Sequence, residues 1–216
     1  MPVLVVATGN AGKLAECAAF LTPAGYEVLD LSAIPDAAPV EETGSTFEEN
    51  ARLKAEGYSL HTPHLVLADD SGLEVDALGG APGVHSARYG GPELSDPERC
   101  TLLLAELSGV PDAERTARFR CVLAIARAGR TLATLDGVVE GVILRAPRGG
   151  GGFGYDPIFF HPPSGCAFAE LSREEKQQVS HRGQALLKLG DSPLFRSKAG
   201  SEELCKKKGS VPFLED

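Results

Sequence analysis

The stretch Leu65-Val66-Leu67-Ala68-Asp69-Asp70-Ser71-Gly72-Leu73 constrains this chain more than any other. Residues suited to a buried strand run straight into two adjacent carboxylates, a hydroxyl and a glycine. A buried strand tolerates no unpaired charge, so the aspartates are expected at its carboxyl end, at the mouth of a cleft. Ligands of open α/β sheets bind beyond the carboxyl ends of strands, which makes this a default site for a hard cation and an activated water. An Asp-rich turn accounts for the same residues, because Asp, Ser and Gly are ordinary turn formers. The rest of the chain decides between the two by whether it supplies partners for the acids.

The chain of 216 residues can bury a sizeable interior as one large domain or two lobes sharing a core. Its formal net charge of -9 argues against a general nucleic-acid binder but leaves room for a small anion held by local cations. Cys17, Cys100, Cys121, Cys166 and Cys205 are odd in number and form no CxxC pair, so reduced thiols are expected. The apolar N-terminal run Val3–Ala7 is too short for a signal peptide, and no stretch approaches the length of a membrane span. A cytoplasmic globular protein is expected.

Val3 to Ala7 reads as a buried strand, and Leu14, Cys17, Ala18 and Leu21 recur at helical spacing beyond Thr8-Gly9-Asn10-Ala11-Gly12-Lys13. A strand, a Gly-containing loop and a helix offer backbone N–H groups and a positive dipole end to a phosphate, with Lys13 adding a charge. The Walker A pattern is not met: Ala7 and Leu14 stand where it needs Gly and Ser/Thr. Residues 23–44 read as irregular. Ser45 to Glu48 reads as a capping box opening a helix on which Asn50 and Lys54 could point into a cleft together. Glu41 is held open as a second carboxylate for a cation, while Glu42 fits a role complementing the helix dipole.

Leu73 to Leu78 reads as a separate half-buried strand, and the helix opened by Ser95 to Glu98 as structural. Ala117–Ala126 and Thr131–Leu144 read as a long hairpin, with Gly137 and Gly141 marking bulges or strong twist. The run Gly149 to Gly152 suits close approach of backbone to a ligand, and Phe153 and Tyr155 offer a stacking surface for a base. On one straight helix Lys176 and Arg182 would point roughly 120° apart, so service to one ligand requires a bend or restart near Ser180. A surface His181–Arg182 pair is the plainer alternative. Residues 196–216 read as a polar tail after a two-lobed domain over 1–195.

Six blocks, Thr8–Lys13, Glu41–Gly44, Ala68–Gly72, Gly80–Gly83 with Ser86–Tyr89, Phe153–Pro157 and Ser180–Gly183, resemble the inosine triphosphate pyrophosphatase family in its order. That resemblance implies a two-lobed α/β fold on a long mixed β-sheet flanked by helices, a cleft between the lobes and a homodimer. It implies hydrolysis of non-standard purine nucleoside triphosphates (ITP, dITP, XTP) to the monophosphate and pyrophosphate. By the same resemblance Thr8, Gly9, Asn10, Ala11, Gly12 and Lys13 hold the triphosphate, and Asp70 is the general base. Asp70 and Glu41 are the Mg²⁺ ligands and Ser71 contacts substrate. Phe153, Gly154, Tyr155, Asp156, Lys176, His181 and Arg182 line the nucleoside pocket.

The residue types agree with that chemistry. Hard carboxylate oxygens suit Mg²⁺ shared with phosphate, and Lys13 and Lys54 are placed to stabilise a leaving pyrophosphate. A donor such as Arg182 or protonated His181 pairs with a 6-keto oxygen and meets a second donor at the 6-amino group of adenine. That account rejects ATP but not GTP. A broader nucleotide pyrophosphatase and a nucleotide-binding sensor without turnover are the competing readings.

Overall fold

The computed structural model describes residues 1–195, so the expected polar tail 196–216, with Cys205, lies outside the described residues. Val3–Ala7 form β1, and Asn10 caps helix α1 (Ala11–Leu21) by accepting the Lys13 N–H on its side chain. The segment expected to be irregular contains a short edge strand, β2 (Glu27–Leu29), which pairs parallel to β1. Helix α2 (Phe47–Ser59) opens on a capping box between Thr46 and Glu49, one residue later than the sequence suggests. Ser45 also donates to the Glu49 carboxylate, which explains why either residue reads as the cap.

Strand β3 runs from Leu65 to Val75 without a break, so the Asp-Asp-Ser-Gly segment is neither a strand end nor a turn. It pairs with β4 (Thr116–Arg127) without interruption from Val66 opposite Ala126 to Val75 opposite Ala117. On its other side β1 stops at Ala7 opposite Ala68. From Asp69 onward the β1-side edge of β3 is therefore open, and the cleft lies beyond the carboxyl end of β1 rather than of β3. Side chains alternate along a strand. Leu65, Leu67 and Asp69 consequently share the face that packs on α1, whereas Val66, Ala68 and Asp70 share the α2 face.

Helix α3 (Asp96–Glu106) covers a second core of Leu73, Val75, Leu103, Phe119, Phe159 and Phe168. The expected hairpin is present as β4 and β5 (Arg130–Ile143), turned by Ala128 and Gly129 at positive φ. Its glycines mark close packing instead of bulges, since the one register shift falls at Ile125/Ala126. A Cβ on Gly137 would strike the His181 carbonyl, and one on Gly141 would lie 2.5 Å from the Phe159 ring. Strands β6 (Phe159–His161) and β7 (Cys166–Ala167) complete an open mixed sheet in the order β2-β1-β3-β4-β5-β6-β7.

Helix α4 (Arg173–Val179) ends and helix α5 (His181–Asp191) begins at Ser180, whose extended backbone (ψ 159°) breaks the run. The restart required for Lys176 and Arg182 to serve one place is thus present. α5 lies on the α1 face of the sheet through Ala185, Leu186 and Leu189. Among the described residues no helix is long and apolar enough to cross a membrane.

Candidate active site

A cavity of about 240 Å³ opens beside the free edge of β3. Asn10, Lys13, Ser71, Phe153, Gly154, Tyr155, Asp156, Lys176, His181 and Arg182, all expected in the site, line it together. Thr8 and Gly9 sit in the adjoining β1–α1 loop and Ala11 opens α1, where the first-turn N–H groups of Ala11 and Gly12 have no carbonyl of the helix to bond. Gly12 is required by close approach: a Cβ there would lie 2.5 Å from the Phe153 ring. The Thr8–Lys13 segment and the aromatic wall are therefore in contact.

On the α1 face the charges are almost fully paired. Lys13 Nζ lies 2.6 Å from Asp69 Oδ1, Arg182 Nε donates to Asp69 Oδ2 at 2.8 Å, and Arg182 Nη2 donates to Ser71 Oγ at 2.8 Å. Glu16 accepts from Arg182 Nη1 and from Lys176 Nζ (3.0 Å), and Lys176 also binds Asp156 Oδ2 at 2.5 Å. Burial opposes ionisation of Asp69, but Arg182 and Lys13 overcome it and hold its carboxyl well below the usual range. For Arg182 burial is likewise outweighed, by Asp69 and Glu16, and its pKa rises further. Sequence reasoning missed Glu16, whose cationic partners lie about 160 residues away in the chain and leave no local signal.

His181 contradicts the expectation of a protonated donor. It is buried and stacked on Phe119 (centroids 4.8 Å, 13° between planes). Burial, reinforced by Arg182 and Lys176, pushes its pKa well below the ordinary value and keeps the ring neutral. Its Nδ1 has no hydrogen-bond partner. Arg182 departs from expectation as well, since most of its donors are spent on Asp69, Glu16 and Ser71. The glycine run also packs on protein: Gly149 meets the Ala169 carbonyl, and Gly152 lets the Phe153 N–H reach Asp156 at 2.9 Å.

On the α2 face the pairing is sparse. Lys54 Nζ donates to Asp70 Oδ1 (3.1 Å) and to the Asp69 carbonyl (2.7 Å) and lies 2.7 Å from Glu42 Oε1. Asp70 Oδ2 is buried and has no partner. Burial raises the Asp70 pKa, and Lys54 and Lys13 offset only part of that rise. Lys54 stays charged against burial because Asp70 and Glu42 face it. Asn50 does not join this group; its side-chain oxygen accepts the Gly44 N–H at 2.7 Å.

Glu41, expected to pair with Asp70, is exposed and makes no hydrogen bond or ion pair within the described residues. Its neighbour Glu42 turns inward to Lys54, with Arg88 3.4 Å from its other oxygen. The structure thus brings Glu42, and not Glu41, to Lys54 beside Asp70, because an extended segment turns alternate side chains in opposite directions. The helix α3, read from sequence as structural, also reaches the cavity: Asp96 Oδ2 accepts the Gly154 N–H at 2.7 Å, and Asp96 and Arg99 both line the wall.

An open mixed sheet with a buried, half-free carboxylate at one strand edge and a cation-walled cavity beside it defines an α/β protein with a site for an anionic ligand. The sequence matches the Ham1 family over residues 4–192, and the chain belongs to that family. It is 55% identical over 191 residues to the dITP/XTP pyrophosphatase of Geobacillus kaustophilus, covering 88% of this chain and 94% of that protein. Its identity to the Bacillus subtilis dITP/XTP pyrophosphatase is 48% over 189 residues (88% and 96% covered). The fold is similar to a HAM1 protein from Coxiella burnetii, with a TM-score of 0.80, 43% identity and 88% and 98% of the two chains covered. The Staphylococcus aureus Ham1 protein gives 0.76 and 41%, with 87% and 95% covered.

Proposed function

We propose that this protein hydrolyses non-standard purine nucleoside triphosphates, ITP, dITP and XTP, to the monophosphate and pyrophosphate. One observation carries the reading: Asp70 has one oxygen held by Lys54 and the other buried with nothing to bind. Such an oxygen is costly unless a ligand or an attacking water meets it. The relatives named dITP/XTP pyrophosphatase support the substrate class.

In this reading the N–H groups of the Thr8–Lys13 segment that no protein acceptor takes, those of Ala11 and Gly12 among them, bind the triphosphate, and Asp70 accepts the proton of a water. The new oxygen–phosphorus bond forms at the α-phosphorus. The bond to the α,β-bridging oxygen breaks, and its electron pair leaves with pyrophosphate. Lys13 and Lys54 stabilise the charge that gathers there. The donor set is hard oxygen, and no cluster of three or more His, Cys, Asp or Glu forms a self-sufficient cage among the described residues. Hard oxygen suits Mg²⁺, which Asp70 and Glu42 would hold and which would supply charge neutralisation to the leaving group. Glu42 takes the place the resemblance gives to Glu41.

Base choice follows from the cavity. A neutral His181 N–H, with no protein acceptor at Nδ1, can pair with a 6-keto oxygen and meets a second donor at the adenine 6-amino group. A homodimer and a cytoplasmic location belong to the same reading, and light scattering in solution tests the first. The enzymatic test is ITP with Mg²⁺, scored for pyrophosphate against orthophosphate. Pyrophosphate with IMP is expected; orthophosphate alone refutes the reading.

A further inference from the structure

The cations lining the cavity are unequally committed. Arg182 is spent on Asp69, Glu16 and Ser71 and Lys176 on Glu16 and Asp156, while Lys13 holds Asp69 by one contact and is part of the phosphate site in the reading above. Arg99 differs. It enters the cavity from α3, is only 9% exposed, and makes one hydrogen bond, from Nη1 to Asp96 Oδ1 at 3.2 Å. Its Nε is buried with no partner. Asp96 meets it through Oδ1 alone, its Oδ2 accepting the Gly154 N–H at 2.7 Å. A guanidinium presents Nε–H and one Nη2–H side by side, and that edge fits a planar pair of acceptors. The cavity thus holds an unspent planar donor that no protein acceptor among the described residues meets.

The purines of the proposed substrates differ in what they offer such an edge. Hypoxanthine has hydrogen alone at C2. Xanthine carries a 2-keto oxygen and, being the more acidic base, shares negative charge between N3 and O2 near neutral pH. Guanine presents a 2-amino donor at the same place. We propose that Arg99 is a specificity-determining residue that donates to the 2-keto edge of xanthine, selecting XTP within the substrate class. The same donor opposes the 2-amino group of guanine, which the 6-keto contact alone does not exclude.

This inference rests on the pyrophosphatase reading, and the test separates the two. Initial-rate kcat/KM for XTP and for ITP is measured for the wild-type protein, Arg99→Gln and Arg99→Lys, each checked for folding by circular dichroism. The ratio of XTP to ITP is expected to fall by about tenfold in both variants, since a lost hydrogen bond to a charged donor acts on one substrate and not the other. A merely structural role would lower both substrates together and leave the ratio in place. A fall of less than about threefold in either variant that folds overturns the role of Arg99. Failure of the wild-type protein to release pyrophosphate from ITP overturns the underlying reading instead.

Discussion

Asp69 and Asp70 are adjacent on β3 and lie on opposite faces of the sheet. Asp69 is met by Lys13, Arg182, Ser71 and Cys121, all in place without any ligand. Asp70 is met by Lys54 alone and keeps one buried oxygen free. Burial is severe for both, yet one carboxyl is held well below its ordinary pKa and the other is raised above it. The difference lies in partner count. A strand edge left free by β1 beyond Ala68 gives each face its own polar chamber, one with its carboxylate fully met by protein groups and the other with a carboxylate oxygen left unmet.

The comparison can be broken most forcefully at Asp69. Asp69→Asn leaves the buried Arg182 and the half-buried Lys13 without their common carboxylate, and breaking such a group by removing one partner costs about 3–5 kcal/mol. Urea unfolding measures it; a variant as stable as the wild type would show that the α1-face network is not structural.

On the other face the effect is expected in turnover. Glu42→Gln should lower kcat/KM for ITP by about 10–100-fold and raise the Mg²⁺ concentration for half-maximal rate, since Glu42 faces Lys54 and Asp70. Glu41→Gln, at an exposed position, should stay within about threefold of wild type. The reverse order in a magnesium titration would restore Glu41 as the ligand.

Acid separates the two carboxylates. Burial raises the Asp70 pKa above its ordinary value, so the ionised base is lost on acidification earlier than an unperturbed aspartate would be, and kcat/KM falls with it. Asp69 is depressed in the folded state. Its stabilisation is present above the unfolded value of about 3.9 and is lost only as pH falls further, through the folded value. Activity should therefore disappear on acidification before the fold does, as rate and circular dichroism followed over one pH series will show; simultaneous loss would contradict the assignment. The smallest effect is expected at the exposed Lys188–Asp136 pair (2.8 Å) between α5 and β5, where Lys188→Met should cost under about 1 kcal/mol in the same urea experiment.

Local features were legible in the sequence. The Ser95 capping box, the long hairpin and the Asn10 turn are encoded within a few residues, and the break at Ser180 followed from the angular positions of Lys176 and Arg182. Features that depend on distant partners were not. The continuity of β3 through Asp69 and Asp70 is stabilised by Lys13, Lys54 and Arg182, so local turn chemistry misreads it. The inward turn of Glu42 depends on Lys54, and Glu16 reads as an ordinary helix residue until α4 and α5 fold over it. Gly137 looks like a bulge because nothing nearby in sequence announces the carbonyl of His181.

The most direct measurement is pyrophosphate release from ITP by Asp70→Asn, made alongside ITP binding by calorimetry. A folded variant that binds ITP within about tenfold of wild type yet loses at least about a hundredfold in turnover is predicted, because the asparagine keeps the shape and loses the base. Turnover near the wild-type rate would place the general base elsewhere and remove the functional distinction between the two faces.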